Sequence, residues 1–177
     1  MLAAKGGDAE AFTVLARRYS SKLVAHCRAL TRDAEVAREA AQETWLGRWS
    51  GRSGYEPSSP FVVYLFTAAR NRCRNAHRTK ARAGAALGVR GTTDVDTLAS
   101  ASPSGLDQVL AEERRRHLSE RIDTLSVPLR EALVLRVTNE LSYAHIAAIL
   151  GVPEATARTR VHLAVQKLRE LASKEDA

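Results

Sequence analysis

The stretch from Ser142 to His162 limits the possible folds of this chain more than any other: Ser-Tyr-Ala-His-Ile-Ala-Ala-Ile-Leu-Gly-Val-Pro-Glu-Ala-Thr-Ala-Arg-Thr-Arg-Val-His. Ser142 predicts a helix start, because its hydroxyl can accept a backbone N–H that the first turn leaves orphaned. Ile146, Ala147, Ile149 and Leu150 give that helix a buried side, and Ala147 is small enough for a close helix crossing. Gly151 supplies a left-handed turn, Val152 plugs the corner, and Pro153 begins a second helix where its missing N–H costs nothing. Ala157, Val161, Ala164, Leu168 and Leu171 then recur as an inward stripe. The opposite face carries Ala155, Arg158, Thr159 and His162, with Arg160 at the flank. Short polar and basic side chains on one helix face suit a DNA major groove. A helical hairpin that only packs in a bundle would share the apolar spacing; the Ala-xxx-Gly turn and the basic outer face favour DNA.

The remainder reads as helix as well. Phe12, Leu15, Tyr19, Leu23 and Leu30 follow helical spacing behind Asp8 as N-cap. A second helix should run from Asp33 to Trp49 and close at Ser50-Gly51, ahead of a Gly/Ser/Pro-rich loop to Pro60. A third should span Phe61 to Arg82 with Val62, Leu65, Ala69, Cys73 and Ala76 buried. Residues 83–105 hold four glycines, one proline and no clear periodicity, which is linker composition and predicts two domains that move independently. Beyond it, Leu118, Ile122, Leu125, Leu129 and Leu133 form a stripe broken only at Val127-Pro128, a helix junction. The predicted fold is all-α: a helical domain over 1–82, a flexible linker over 83–105, and a helix-turn-helix domain over 106–177.

Charge points to the same partner. Six basic residues and no acidic one lie between Phe61 and Arg82, against a net charge of +7 for the whole chain. Arg70, Arg74, His77 and Arg78 share one face, bordered by Asn71. Each phosphate such a face neutralises releases counterions, so binding to DNA would be strongly salt-dependent. Arg52, Tyr55 and Phe61 in and beside the preceding loop are side chains able to stack on or hold an unpaired base. A solvated basic face without a ligand is the bland alternative, but unbalanced charge of this density is rarely mere solubility.

Taken together these residues resemble the extracytoplasmic-function sigma factors of bacterial RNA polymerase. Ala37-Arg-Glu-Ala-Ala-Gln-Glu-Thr-Trp-Leu-Gly-Arg-Trp49 is similar to that family's acidic Gln-Glu-x-Phe-Leu-x-x-Trp helix. Tyr64-Leu65-Phe66 and Ala69-Arg70-Asn71 resemble its Trp-Leu-Tyr-x-x-Ala-Arg-Asn helix, and Leu125 to Arg136 followed by Leu141-Ser-Tyr143 resembles the lead-in to its helix-turn-helix. The resemblance implies that Glu39, Gln42, Glu43, Leu46 and Trp49 bind core polymerase at the clamp helices of the largest subunit. It implies that Arg52, Tyr55, Phe61, Tyr64, Arg70, Asn71, Arg74 and Arg78 serve the minus-ten element, which the first domain recognises and opens. Thr156, Arg158, Thr159, Arg160 and His162 would read the minus-thirty-five element, with the second domain also meeting the polymerase beta flap. It implies an anti-sigma factor as inhibitory partner. Five positions depart from the pattern: Arg38 replaces an acid, Tyr64 a tryptophan, His145 the glutamate of a capping box, Ala157 a core valine and Leu163 an arginine.

Other classes fare worse. A LuxR-type regulator would share the helix-turn-helix but leaves the basic helix of the first half unexplained. No glycine-rich phosphate loop, nucleophile elbow or paired-acid motif argues for an enzyme. Cys73 and His77 sit four apart on a helix, half of a metal site whose second half is missing, so neither metal nor cofactor is expected. Two cysteines and no long apolar run lead to the expectation of a cytoplasmic protein without membrane insertion, held at a membrane only through an anti-sigma factor.

Overall fold

Helix ends in this chain are set by short polar side chains and by two left-handed turns. A computed structural model describes residues 1–87 and 105–175, except for side chains at 77–110 and at 111, 112, 114, 115, 174 and 175. After a short first helix, α1 (Leu2–Lys5), Asp8 accepts from the Ala11 N–H at 2.9 Å and starts α2 (Ala9–Thr31). That helix ends where Arg32 turns left-handed at φ 57°, and Asp33 at once caps α3 (Ala34–Ser50) by accepting from Val36. Ala37, Ala40 and Ala41 are buried, so α3 can lie close against its neighbours.

A single 3-10 turn (Arg52–Gly54) leads to α4 (Phe61–Leu87), which packs on α2, α3 and α7. Because it is covered on more than one side, α4 buries Val63 and Phe66 as well as the expected Leu65, Ala69 and Cys73. Its backbone continues five residues past the expected end at Arg82, into the segment assigned to a linker. Residues 88–104 of that segment lie outside the described residues.

The C-terminal half comprises α5 (Gly105–Thr124), α6 (Val127–Val137), α7 (Tyr143–Leu150) and α8 (Glu154–Glu175). Pro128 falls in the first turn of α6, as the junction at Val127-Pro128 required. Leu118 does not join the stripe proposed for it and is 51% exposed, because the small core of Leu125, Leu133 and Ala164 takes its α5 contribution from Ile122. At the α7–α8 corner Ser142 Oγ accepts from His145 N at 3.2 Å, and Gly151 has φ 67°. The N–H groups of Gly151 and Val152 both donate to Ala147 O. The capping hydroxyl therefore works without the glutamate that His145 replaces, and Ala157 is fully enclosed.

The two halves pack on one another. α6 packs on α2, and α7 packs on α4. One apolar cluster runs from Leu23, Cys27 and Phe66 through Leu135 to Ile146, Ile149 and Val161. Linker composition is silent about whether the faces it joins are apolar, and here they are.

Candidate nucleic-acid interface

Helix α8 presents its proposed reading face to solvent. Arg158, Thr159 and His162 are exposed, while Thr156 and Arg160 are half-buried at its edges. Thr159 Oγ1 donates to Ala155 O at 2.9 Å, and Arg158 reaches Glu154 at 3.1 Å and lies 5.1 Å from the centre of the Tyr143 ring. Tyr143, Arg158, His162, Gln166 and Arg169 line a shallow cleft on this side. A flat, cationic face flanked by a cleft can take a phosphodiester edge and bases together.

Helix α4 is less open. Asn71 and Arg74 are exposed, and the Arg78 side chain lies outside the described residues. Arg70 is turned inward: its side chain is 19% exposed and its Nε donates to Glu131 of α6 at 2.9 Å. The aromatic residues expected to hold unpaired bases are engaged with one another. Tyr55 is buried edge-on against Tyr64, with 4% of its surface exposed, so its ring is not a free platform here. Phe61 sits among Tyr19, Trp45 and Tyr64, and the Arg48 guanidinium lies 4.3 Å from the centre of the Tyr64 ring. Arg52 is 4.1 Å from the centre of the Trp49 ring and donates to Trp49 O.

On α3, Glu39, Gln42, Glu43 and Leu46 recur at helical spacing and are all exposed, Leu46 by 58%. Glu43 pairs with Arg72 at 3.0 Å. Trp49 stands at the border of this face and packs on Phe12 with ring centres 5.1 Å apart. Arg38, in place of an acid, pairs with Glu35 one turn earlier.

Sequence reasoning missed the most unusual polar group, which lies between the halves. Arg130 is fully buried; its Nε donates to Ala29 O of α2 at 2.5 Å, and its Nη1 to Leu125 O and Asp123 O. Glu131, 3% exposed, meets Arg70 and lies 3.9 Å from Nε2 of the buried His26. Burial pushes the Glu131 carboxyl up, against the pull of Arg70 and, more weakly, of Arg160 and Arg74. His26 is driven down to about 3 by burial and by Arg70, so its imidazole is neutral. The Glu131 carboxylate would pull the other way, but it is engaged by Arg70 at the shorter distance, and burial decides. A hydrogen bond with Cys73 and burial push the Cys27 thiol up. The overlooked signal was in α6: apolar side chains at 129 and 132–135 cover every face of the helix, which marks it as enclosed all round.

Residues 15–83 match the family model of sigma-70 region 2, and residues 115–168 that of sigma-70, region 4. The chain is 25% identical to the ECF RNA polymerase sigma factor SigW of Bacillus subtilis, over 94% of this chain and 91% of that protein. To the RNA polymerase sigma factor CarQ of Myxococcus xanthus it is 32% identical, over 94% of this chain and 92% of that protein. The chain belongs to the extracytoplasmic-function sigma factors. Sigma factors direct RNA polymerase to promoters, and the region 2 match accounts for the first half that a LuxR-type regulator left unexplained. Among solved structures, the sigma factor RpoE of Bartonella quintana, crystallised with the anti-sigma factor NepR, aligns with a TM-score of 0.75 at 24% identity, over 93% of this chain and 98% of that one. CnrH, in complex with the cytosolic domain of CnrY, aligns at 0.71 and 20% identity, over 98% of this chain and 94% of that one. At these identities both show a shared sigma-factor fold.

Proposed function

We propose that the three surfaces divide promoter recognition between them. The exposed face of α3, Glu39, Gln42, Glu43 and Leu46 with Trp49 at its border, docks on the clamp helices of the polymerase largest subunit. The basic side of α4, with Arg70, Asn71, Arg74 and Arg78, holds the minus-ten element beside Arg52, Tyr55, Phe61 and Tyr64. The outer face of α8, with Thr156, Arg158, Thr159, Arg160 and His162, reads the minus-thirty-five element as duplex, while the same half meets the beta flap. The functional division is residues 1–82, 83–105 and 106–177. Both structural relatives named above are bound to a second protein, one of them an anti-sigma factor, and this chain has an inhibitor of that kind. A membrane-linked inhibitor would hold the factor at a membrane; among the described residues no helix is long and apolar enough to cross one.

The observation that carries this reading is Leu46, a large apolar side chain 58% exposed one turn beyond Gln42 and Glu43 on an acidic and amide face. A lone exposed leucine is unremarkable, but one bordered by Glu39, Gln42 and Glu43 on one side and Trp49 on the other has the makeup of an interface anchor with a polar edge. Gln42→Ala/Leu46→Ala should retain its helicity and lose about tenfold in affinity for core polymerase, on the order of 1.4 kcal/mol of buried aliphatic contact. Run-off transcription should fall in parallel. Unchanged affinity in a fluorescence titration would move the polymerase surface elsewhere.

A further inference from the structure

Three elements converge on a carboxylate carried by a fourth. Glu131 on α6 is 3% exposed and accepts from Arg70 Nε of α4 at 2.9 Å, with His26 of α2 at 3.9 Å. Arg74 of α4 and Arg160 of α8 both act on it electrostatically. Of these, Arg70 and Arg74 belong to the proposed minus-ten surface and Arg160 to the proposed minus-thirty-five surface. A carboxylate held by arginine has the same two features as a DNA phosphate at such a site, negative charge and acceptor oxygens.

We propose that the docked halves are a closed state in which Glu131 occupies the place of a DNA phosphate on Arg70, so that DNA and the C-terminal half compete for the same guanidinium. The inference rests on the reading of Arg70 as a DNA contact and adds a regulatory role to it. In the closed state Arg70 is turned inward, so the proposed minus-ten surface is incomplete. Parting the halves frees Arg70, and the Glu131 carboxylate passes from its buried site to water.

The rim of the interface is consistent with a contact that can be released. Lys22 of α2 meets Glu140 at 3.6 Å, with the Glu140 side chain 81% exposed. Arg32 Nη2 donates to Asp123 O at 2.6 Å and to Leu125 O at 3.1 Å. Arg32 and Glu140 are also the two non-glycine residues, among those described, with left-handed backbones, at φ 57° and 55°. Strained backbone therefore coincides with contacts between the halves at both places.

The test is DNA binding by the free full-length factor as a function of salt. Glu131→Gln keeps the shape of the side chain and removes its charge. The variant should bind a mixed-sequence DNA more tightly than the parent, and the slope of log K against log salt should steepen by about 0.9 for each arginine released onto duplex phosphate. Adding Arg70→Ala should abolish most of that gain. Lys22→Glu opens the rim by repulsion from Glu140 without touching the core, and should mimic Glu131→Gln; Lys22→Glu/Glu140→Lys should restore the parent behaviour. Small-angle scattering should show both opened variants as more extended particles.

Two failures are distinguishable, and each overturns the proposal. If the variants extend but DNA affinity is unchanged and Arg70→Ala leaves holoenzyme transcription intact, Arg70 is not a DNA contact. If Arg70→Ala cripples transcription while Glu131→Gln and Lys22→Glu neither extend the particle nor tighten DNA binding, the DNA reading stands and the closed state does not regulate it.

Discussion

Replacing His26 with leucine should make the protein more resistant to mild acid without weakening it at neutral pH. His26 has no exposed surface, neither ring nitrogen has a hydrogen-bond partner, and its ring packs edge-on against Phe66 at 5.3 Å. Its pKa drops from 6.5 to about 3 on folding. An unfolded chain therefore binds a proton below 6.5 that the folded chain refuses. The histidine's contribution to stability is complete above 6.5 and is lost as pH falls from 6.5 toward 3, by about 1.4 kcal/mol per unit. From pH 7.5 to pH 5 that loss amounts to about 2 kcal/mol.

Glu131 acts with the opposite sign. Its raised pKa means that the folded state takes up a proton sooner than the unfolded one, so stability falls as pH rises through the interval above 4.5. Acidification relieves that cost and masks part of the histidine's effect in the parent protein. The quantity to measure is the gap between His26→Leu and the parent, from urea titrations followed by far-ultraviolet circular dichroism. It should lie within about 1 kcal/mol of zero at pH 7.5, since no hydrogen bond is removed and an unsatisfied buried donor disappears. At pH 5 the variant should be ahead by about 2 kcal/mol more. Parallel profiles over that range would refute the assignment of a neutral, buried imidazole.

Two further outcomes are expected. Gly151→Ala puts a Cβ where no atom lies within 4 Å, yet at φ 67°, so it should cost about 1–2 kcal/mol in urea midpoint terms through backbone strain alone. Arg158→Ala should cost about 1–3 kcal/mol in holoenzyme binding to a matched promoter but not to a scrambled one, if the contact is to a base edge; an equal loss on both would assign it to phosphate.

Local chemistry made much of the fold readable. Asp8 and Ser142 cap the helices they were expected to cap, Asp33 caps the helix expected to begin at it, and Gly151 turns the corner as its lack of a side chain allows. The outward face of α8 and the exposed face of α3 follow from helical period, which side chains a few residues apart already record. The α4 stripe was read only in part, because periodicity reports that a face is apolar and not how many neighbours cover it. Arg130 and Glu131 could not be placed from spacing, since adjacent charges inside a leucine-rich helix look like its solvent side. Their burial depends on α2 and α4, about 100 and 60 positions distant by their contacts with Ala29 and Arg70. Tyr55 illustrates the same difficulty: a tyrosine in a polar loop reads as available, and its partner Tyr64 lies on another element.

The carbonyls at the end of α5 are served twice. Asp123 O and Leu125 O each receive a guanidinium N–H from Arg130, within their own half of the molecule, and another from Arg32, across the boundary. A bend whose acceptors relied on Arg32 alone would come apart whenever the halves separated, and separation would mean partial unfolding. With a donor on each side, the bend between α5 and α6 keeps its shape when one donor withdraws. In the proposed opening the boundary can therefore part as a rigid-body event, and hydrogen exchange at the start of α6 should stay slow even while exchange along the faces of α2 and α7 speeds up.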